Sequence, residues 1–221
     1  CPSPMTSWPA GEEMSAGTEV SGETTNMIDV ATISAQDHQQ IELAQQAVDF
    51  ARTMLTAERA VILDVETVSL LGPVCEIAVI DAASAALLLD TLVNPGVDMD
   101  PQAYAVHGIT DAQVRARGVP SFAEVFPRLQ AVAEGRTVLA YNADYDRDTV
   151  WADCRRYGLF DRWLMNAGNW ADVMVMRSQH RYTTRLLRNG GGHRAADDVA
   201  ETRRHLLEMT ELVPWPPPAH L

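Results

Sequence analysis

Between residues 35 and 57 the apolar positions Ile41, Ala44, Ala47, Val48, Ala51 and Leu55 recur near every 3.6 residues, which predicts an amphipathic helix. The period then changes. Arg59–Val65 is a continuous apolar run that ends in carboxylates, and it predicts a buried strand. Cys75–Ile80 and Ala86–Val93 predict a second and third strand, joined by a hairpin turn at Asp81–Ser84, and Asn94-Pro95-Gly96 stops the third. Asp111–Arg117 and Phe122–Glu134 predict helices, Thr137–Tyr141 a further strand, Asp144–Tyr157 and Ala195–Thr210 two more helices, while Trp170–Met176 reads either way. Three strands in a meander, followed by helix–strand–helix alternation, predict a mixed α/β sheet flanked by helices.

The two ends of the chain lack this periodicity. Residues 1–34 are rich in Ser, Thr, Gly, Glu and Pro, have little to bury, and are expected to be disordered. Trp215-Pro216-Pro217-Pro218 cannot continue a helix, so residues 211–221 form a Pro-rich tail. The expected organisation is an acidic segment at 1–34, a helix at 35–57, one α/β domain at 58–210 and the tail.

Composition narrows the chemistry. The 17 basic residues among 221 are all arginine. Without lysine the chain cannot be a P-loop enzyme, a protein kinase or a Schiff-base enzyme. The net charge of −13 argues against wrapping a long nucleic-acid duplex. That charge is uneven, because residues 1–51 hold eight acids and no arginine, or −8 of the −13. Arg177, Arg181, Arg185, Arg188, Arg194, Arg203 and Arg204 face only three acids in the same stretch, which could form a basic collar or an ordinary solvated helix face. Three cysteines without a CxxC pair point to a reducing cytosol, and Cys1 reads as a trimmed start rather than a lipoprotein end. No apolar run is long enough for a membrane span.

Three acidic groupings stand out. Asp64 and Glu66 are i and i+2 on the first strand, so both point to one face. Two carboxylates at the end of a buried strand repel and lose solvation unless a cation lies between them, or else the strand end simply reaches solvent. The cation suited to carboxylates alone is Mg²⁺ or Mn²⁺. In Asn142-Ala143-Asp144-Tyr145-Asp146, after an apolar strand, Asp144 fits a helix cap and Asp146 can face the sheet's edge. Gly190-Gly191-Gly192-His193 places a histidine on a glycine loop five residues before Asp198; the bland alternative is a capping His with acids favoured by the helix dipole.

Taken in order, these groupings resemble the DEDD exonuclease family, in its subgroup with a catalytic histidine that includes proofreading subunits of bacterial DNA polymerase III. Asp64-Val65-Glu66-Thr67-Val68-Ser69-Leu70 is similar to the family's D-x-E-T-T-G-L. Asn142–Asp146 is similar to N-x-x-F-D, His193–Asp198 to H-x-A-x-x-D, and Val106-His107-Gly108-Ile109-Thr110 to V-H-G-I-T, followed by a P-x-F-x-E-V-like stretch at Pro120–Val125. The likeness spans roughly residues 60–209. Arg194 stands where the tyrosine subgroup has its Tyr. Val68-Ser69 departs from the usual Thr-Gly, and Gln102 from a frequent Glu near the substrate's end.

The resemblance implies an RNase H-like fold with a mixed five-stranded sheet, and a 3′→5′ exonuclease acting on single-stranded DNA ends. Asp64, Glu66, Asp146 and Asp198 would hold two Mg²⁺ or Mn²⁺ ions, with His193 as general base. Thr67, His107, Asn142 and Arg194 would contact the substrate; for His107 the alternative is a loop histidine that fixes a turn. Competing readings are an RNA-trimming or oligonucleotide-degrading relative, a proofreading subunit docked on a polymerase or other protein, and a metal-free regulatory relative. The short stretch after the last helix disfavours the docking reading, and intact motifs disfavour the last. A role in DNA repair or proofreading in the cytoplasm is expected, without a membrane.

Overall fold

In the computed structural model, residues 33–217 are described. The expected disorder of residues 1–34 therefore lies almost wholly outside the described residues, as do Cys1 and the end of the tail.

Helix α1 (Ala35–Met54) starts at Ser34, whose side chain accepts from the Asp37 amide while Asp37 reaches back to the Ser34 amide. Strands β1 (Ala60–Thr67), β2 (Val74–Asp81) and β3 (Leu87–Leu92) form the antiparallel meander. Then come α2 (Pro101–His107), α3 (Asp111–Val114), α4 (Phe122–Ala133), β4 (Thr137–Ala140), α5 (Ala143–Tyr157), β5 (Trp170–Asp172), α6 (Val173–His180) and α7 (Ala195–Glu208). β4 adds parallel to β1 and β5 parallel to β4, giving the order β3-β2-β1-β4-β5. This is the expected mixed five-stranded sheet with helices on both faces.

Strand alternation divides the core in two. Val61, Leu63 and Val65 of β1 join Val138 and the apolar side of α4 (Phe122, Val125, Phe126, Leu129) on one face. Ala60 and Ile62 join Leu139, Val173 and Val199 and Leu206 of α7 on the other. Asp64 and Glu66 continue the Ala60–Ile62 row, so strand period alone aims them at the α7 side. α1 closes that side by packing on α6 and α7, with Ala51 and Met54 in the same cluster. No helix of the described residues is long and apolar enough to cross a membrane.

Two local expectations need correction. The Trp170–Met176 stretch is both elements at once: a three-residue strand whose Asp172 then caps α6 by accepting from the Met174 amide at 2.8 Å. The first helix after the meander, α2, is absent from the elements that the periodicity predicts. Its signals were present: Asp100 accepts from the Gln102 amide, Pro101 occupies the first helical position and Gly108 closes the end at φ 70°.

Candidate active site

β1, α5 and α7 converge at one end of the sheet. Oxygen atoms of Asp64, Glu66 and Asp198 all lie within 4.8 Å of one another. Asp198 arrives from the first turn of α7, packed over the Asp64–Glu66 face, and is 8% exposed. Asp146 comes from the first turn of α5 and is 2% exposed. Its Oδ1 accepts from the Val65 amide at 3.2 Å, which brings that carboxyl to the middle of the Asp64–Glu66 pair without placing it in the tight three-acid group.

The turn into α5 is made by Asn142, held in the left-handed region at φ 73°. This corrects the expected cap: the helix opens at Ala143, and Asp144 is exposed and paired with Arg147 at 2.6 Å. Asn142 Nδ2 and Oδ1 make no capping bond, while its amide donates to Asp172.

Electrostatics separate the cluster from ordinary surface acids. Burial, followed by the charges of Asp146, Glu66 and Asp198, pushes the Asp64 carboxyl well above the usual carboxylate range. Asp146 is raised, first by burial. Glu66 is pushed up to about 7 by burial and then by Asp198 and Glu76. Asp198 is raised by burial, with His193 opposing. Among the described residues, no arginine forms an ion pair with these four acids. An all-oxygen, crowded, unneutralised donor set fits a hard divalent cation.

His193 stands beside this group. It is exposed and holds φ 56°, and its charge and backbone oppose the upward shift of the Asp198 carboxyl. The loop before it lies directly on the acid: a methyl group built on Gly191 would fall 1.6 Å from Asp198 Oδ1.

A cleft of about 580 Å³ opens from Glu66. Thr67, His107 and Tyr145 line it, as do Ser69 and Gln102, two of the three residues that depart from the family pattern. Thr67 donates to the Ser69 carbonyl at 2.7 Å and is bonded to the Tyr145 hydroxyl at 2.8 Å. Both His107 ring nitrogens are engaged by backbone: Nδ1 accepts from the Ile109 amide, and Nε2 donates to the Thr67 carbonyl. Its burial lowers its pKa, which agrees with a neutral ring that fixes the turn at the cleft wall.

Arg194 is placed differently from its expected role on the substrate. Its guanidinium grips Glu76 of β2 through Nε and Nη2, and the Ala195 amide donates to the same carboxylate at 2.9 Å. The arginine collar is also dispersed. Arg203 binds the carbonyls of Ala82 and Ala83, Arg204 pairs with Glu201 and Glu208, Arg181 pairs with Glu208, and Arg177 turns inward. Among the described residues, only Arg185 and Arg188 of the seven present side chains without an ion-pair or hydrogen-bond partner. Glu76 and Tyr145 are the site residues that sequence reasoning missed. Tyr145 sits inside the quoted second motif, whereas nothing in a strand glutamate announces a buried partner.

Comparison with known proteins now bears on this geometry. Residues 61–206 match the RNase_T family, described as exonuclease. A "DNA polymerase III subunit epsilon-like protein" of Rhodobacter capsulatus is 36% identical over 104 residues, covering 43% of this chain and 14% of that protein. "Exodeoxyribonuclease 10" of Escherichia coli is 34% identical over 88 residues, covering 39% of this chain and 38% of the relative. The chain thus spans less than half the length of these two curated relatives. A solved structure described as "Exonuclease X in complex with 5′ overhanging duplex DNA" superposes with a TM-score of 0.51 at 25% identity, over 68% of this chain and 90% of that one. The family match begins at the first residues of β1 and ends near the end of α7, enclosing every acid of the cluster, so this chain belongs to the RNase_T exonuclease family and carries a nuclease domain.

Proposed function

We propose that the chain is a metal-dependent 3′→5′ exonuclease that removes nucleoside 5′-monophosphates from single-stranded DNA ends, with its nuclease domain at residues 58–210. The observation that carries this reading is the Asp64–Glu66–Asp198 group, unpaired with any arginine among the described residues, whose Glu66 also lines the cleft, with His193 beside it. Asp64, Glu66, Asp146 and Asp198 would hold two Mg²⁺ or Mn²⁺ ions. When bound, such a pair stabilises both the attacking and the leaving oxygen of an in-line displacement.

The chain's own residues supply the rest. His193 accepts a proton from the attacking water as its oxygen bonds to the terminal phosphorus. The bond from phosphorus to the penultimate 3′ oxygen breaks, that oxygen takes up a proton, and the 5′-monophosphate departs. Thr67, His107 and Asn142 shape the pocket for the last nucleotide, the first two through the rigid wall they build. Arg194 acts through Glu76 and helps place His193, its neighbour in sequence. The buried free thiols of Cys75 and Cys154 fit a reducing compartment.

DNA is favoured over RNA because the named relative with a stated polymer is an exodeoxyribonuclease and the superposed exonuclease was solved with DNA. Service beside a polymerase is a second reading, supported by the epsilon-like relative. End-labelled single-stranded DNA, duplex DNA and short RNA, each with Mg²⁺, Mn²⁺ or EDTA, test the proposal. Stepwise shortening from the 3′ end of DNA, stopped by EDTA, is expected. Internal cuts, shortening from the 5′ end, or activity in EDTA would overturn it.

A further inference from the structure

The glycine loop that carries His193 is rooted in an unusual way. Three consecutive backbone carbonyls just before it are each captured by a side chain from a different element. The Tyr141 hydroxyl, one residue past β4, donates to the Leu187 carbonyl at 2.8 Å. Arg177 Nη1, from α6, donates to the Arg188 carbonyl at 2.7 Å and to the Tyr141 oxygen at 2.8 Å. His205 Nε2, from α7, donates to the Asn189 carbonyl at 2.7 Å. Arg204 Nη2 donates to His205 Nδ1 at 3.3 Å, which leaves the proton on Nε2, where the carbonyl needs it.

The three side chains also support one another. The rings of Tyr141 and His205 lie 5.5 Å apart, and His205 is fully buried. Asn189 adds a fourth hold: its Nδ2 donates to the Asp198 carbonyl at 3.2 Å and its Oδ1 accepts from Thr202 at 3.4 Å. Beyond this root come Gly190 at φ 87°, Gly191 against Asp198, Gly192, and His193 at φ 56°. The far end is fixed again at once by Arg194 and the Ala195 amide on Glu76. Residues 190–193 are therefore a four-residue arm between two anchors.

Capturing three successive carbonyls is more than a loop needs to be satisfied, since exposed carbonyls find water. It costs the ordering of three side chains from three elements, and what it fixes is the starting point of the arm. We propose that Tyr141, Arg177 and His205 are positioning residues for His193, holding the root of the glycine arm so that the imidazole meets the attacking water from a set distance. This rests on the reading of His193 as the general base.

The test uses the full chain with Mg²⁺ and an end-labelled single-stranded oligodeoxynucleotide. Arg177→Met and Tyr141→Phe are compared with Arg177→Lys, which can restore one donor. Tyr141→Phe keeps the ring packing on His205, so its fold is preserved, and melting curves check this. The expected result is a kcat lower by about 10-fold, because small misplacements of a reacting group are costly. KM and Mg²⁺ affinity should change by less than about 3-fold, and amide exchange should quicken in the peptide spanning residues 187–194. Arg177→Lys should recover part of kcat. In a His193→Ala background the same substitutions should not lower the residual rate further. An equal loss in that background, or an unchanged kcat and unchanged exchange in a folded Arg177→Met protein, would overturn the proposal. Full activity of His193→Ala alone would reject the base assignment, a result distinct from the fate of the anchor, which the exchange measurement decides.

Discussion

Glu66 and Glu76 face each other across β1 and β2 and meet opposite fates. Glu76 is 4% exposed, yet the Arg194 guanidinium and the Ala195 amide satisfy its carboxylate, and it anchors the start of α7. Glu66 has no such partner among the described residues and shares its space with Asp64 and Asp198, and burial followed by the Asp198 and Glu76 charges raises its carboxyl to about 7. Two carboxylates on one sheet face thus mark two kinds of region. Where the protein supplies the counter-charge, the acid is architecture. Where it withholds the counter-charge, the fold tolerates repulsion that a bound proton or a cation from outside relieves.

The contrast can be broken most severely at Asp64. Asp64→Asn should reduce exonuclease activity by about 10³-fold or more, in line with the several kcal/mol that metal ions contribute to such transition states. The same change should raise the melting temperature of the metal-free protein, because it removes a repelling charge. Activity assays and melting curves on one preparation check both halves, and a lower melting temperature would contradict the picture of stored repulsion. Next, His193→Ala should lower the rate by about 10²–10⁴-fold, the range of general acid–base catalysis, while Mg²⁺ affinity by calorimetry is retained.

Glu76→Gln should behave in the opposite sense to Asp64→Asn. It leaves Arg194 without its carboxylate and should cost about 2 kcal/mol of stability, less than for a fully buried pair because Arg194 is half-exposed. Urea unfolding measures this. A pH series sharpens the contrast on the other side. Folded Glu66 keeps its proton up to about 7, whereas its ordinary value is 4.5. The metal-free fold therefore binds more protons than the unfolded chain between those values, and its stability falls as pH rises across that window. A drop of about 5 °C in melting temperature from pH 5 to pH 8, reversed by millimolar Mg²⁺ or Mn²⁺, is expected. A flat profile would mean the acids are already neutralised.

The smallest effect concerns the arginines, which divide as the acids do. Arg194, Arg203 and Arg204 have partners within the protein, whereas the Arg185 and Arg188 side chains have none among the described residues. Replacing Arg185 and Arg188 together by Ala should lower the log–log salt slope of strand binding by about 1, as expected for one or two lost phosphate contacts. An unchanged slope would remove this loop from the nucleic-acid path.

Much of this was legible along the chain. The apolar run ending in Asp64-Val65-Glu66 locates a strand with two acids on one face, because strand period is local and strict. The glycine run before His193 and the spacing to Asp198 are equally local. α2 was legible in principle from Asp100-Pro101, but its seven residues are too few to show a clear helical period. Glu76 and the arginines were not legible. A charge looks the same in sequence whether it faces water, a ligand or a buried partner 118 positions away, as Arg194 does.

Where carboxylates gather, which face of β1 they share, the order of the motifs, and the chemistry excluded by the missing lysine are all readable from the chain. They are so because backbone periodicity and side-chain identity are properties of neighbours in the chain. Which charges cancel depends on the three-dimensional fold: Arg194 lies on Glu76, Arg177 and His205 on the root of the glycine loop, and no arginine among the described residues pairs with Asp64, Glu66 or Asp198. Pairing depends on distances between elements far apart in sequence, and burial multiplies the cost of any charge left over. The three acids without an arginine partner among the described residues are the candidate site.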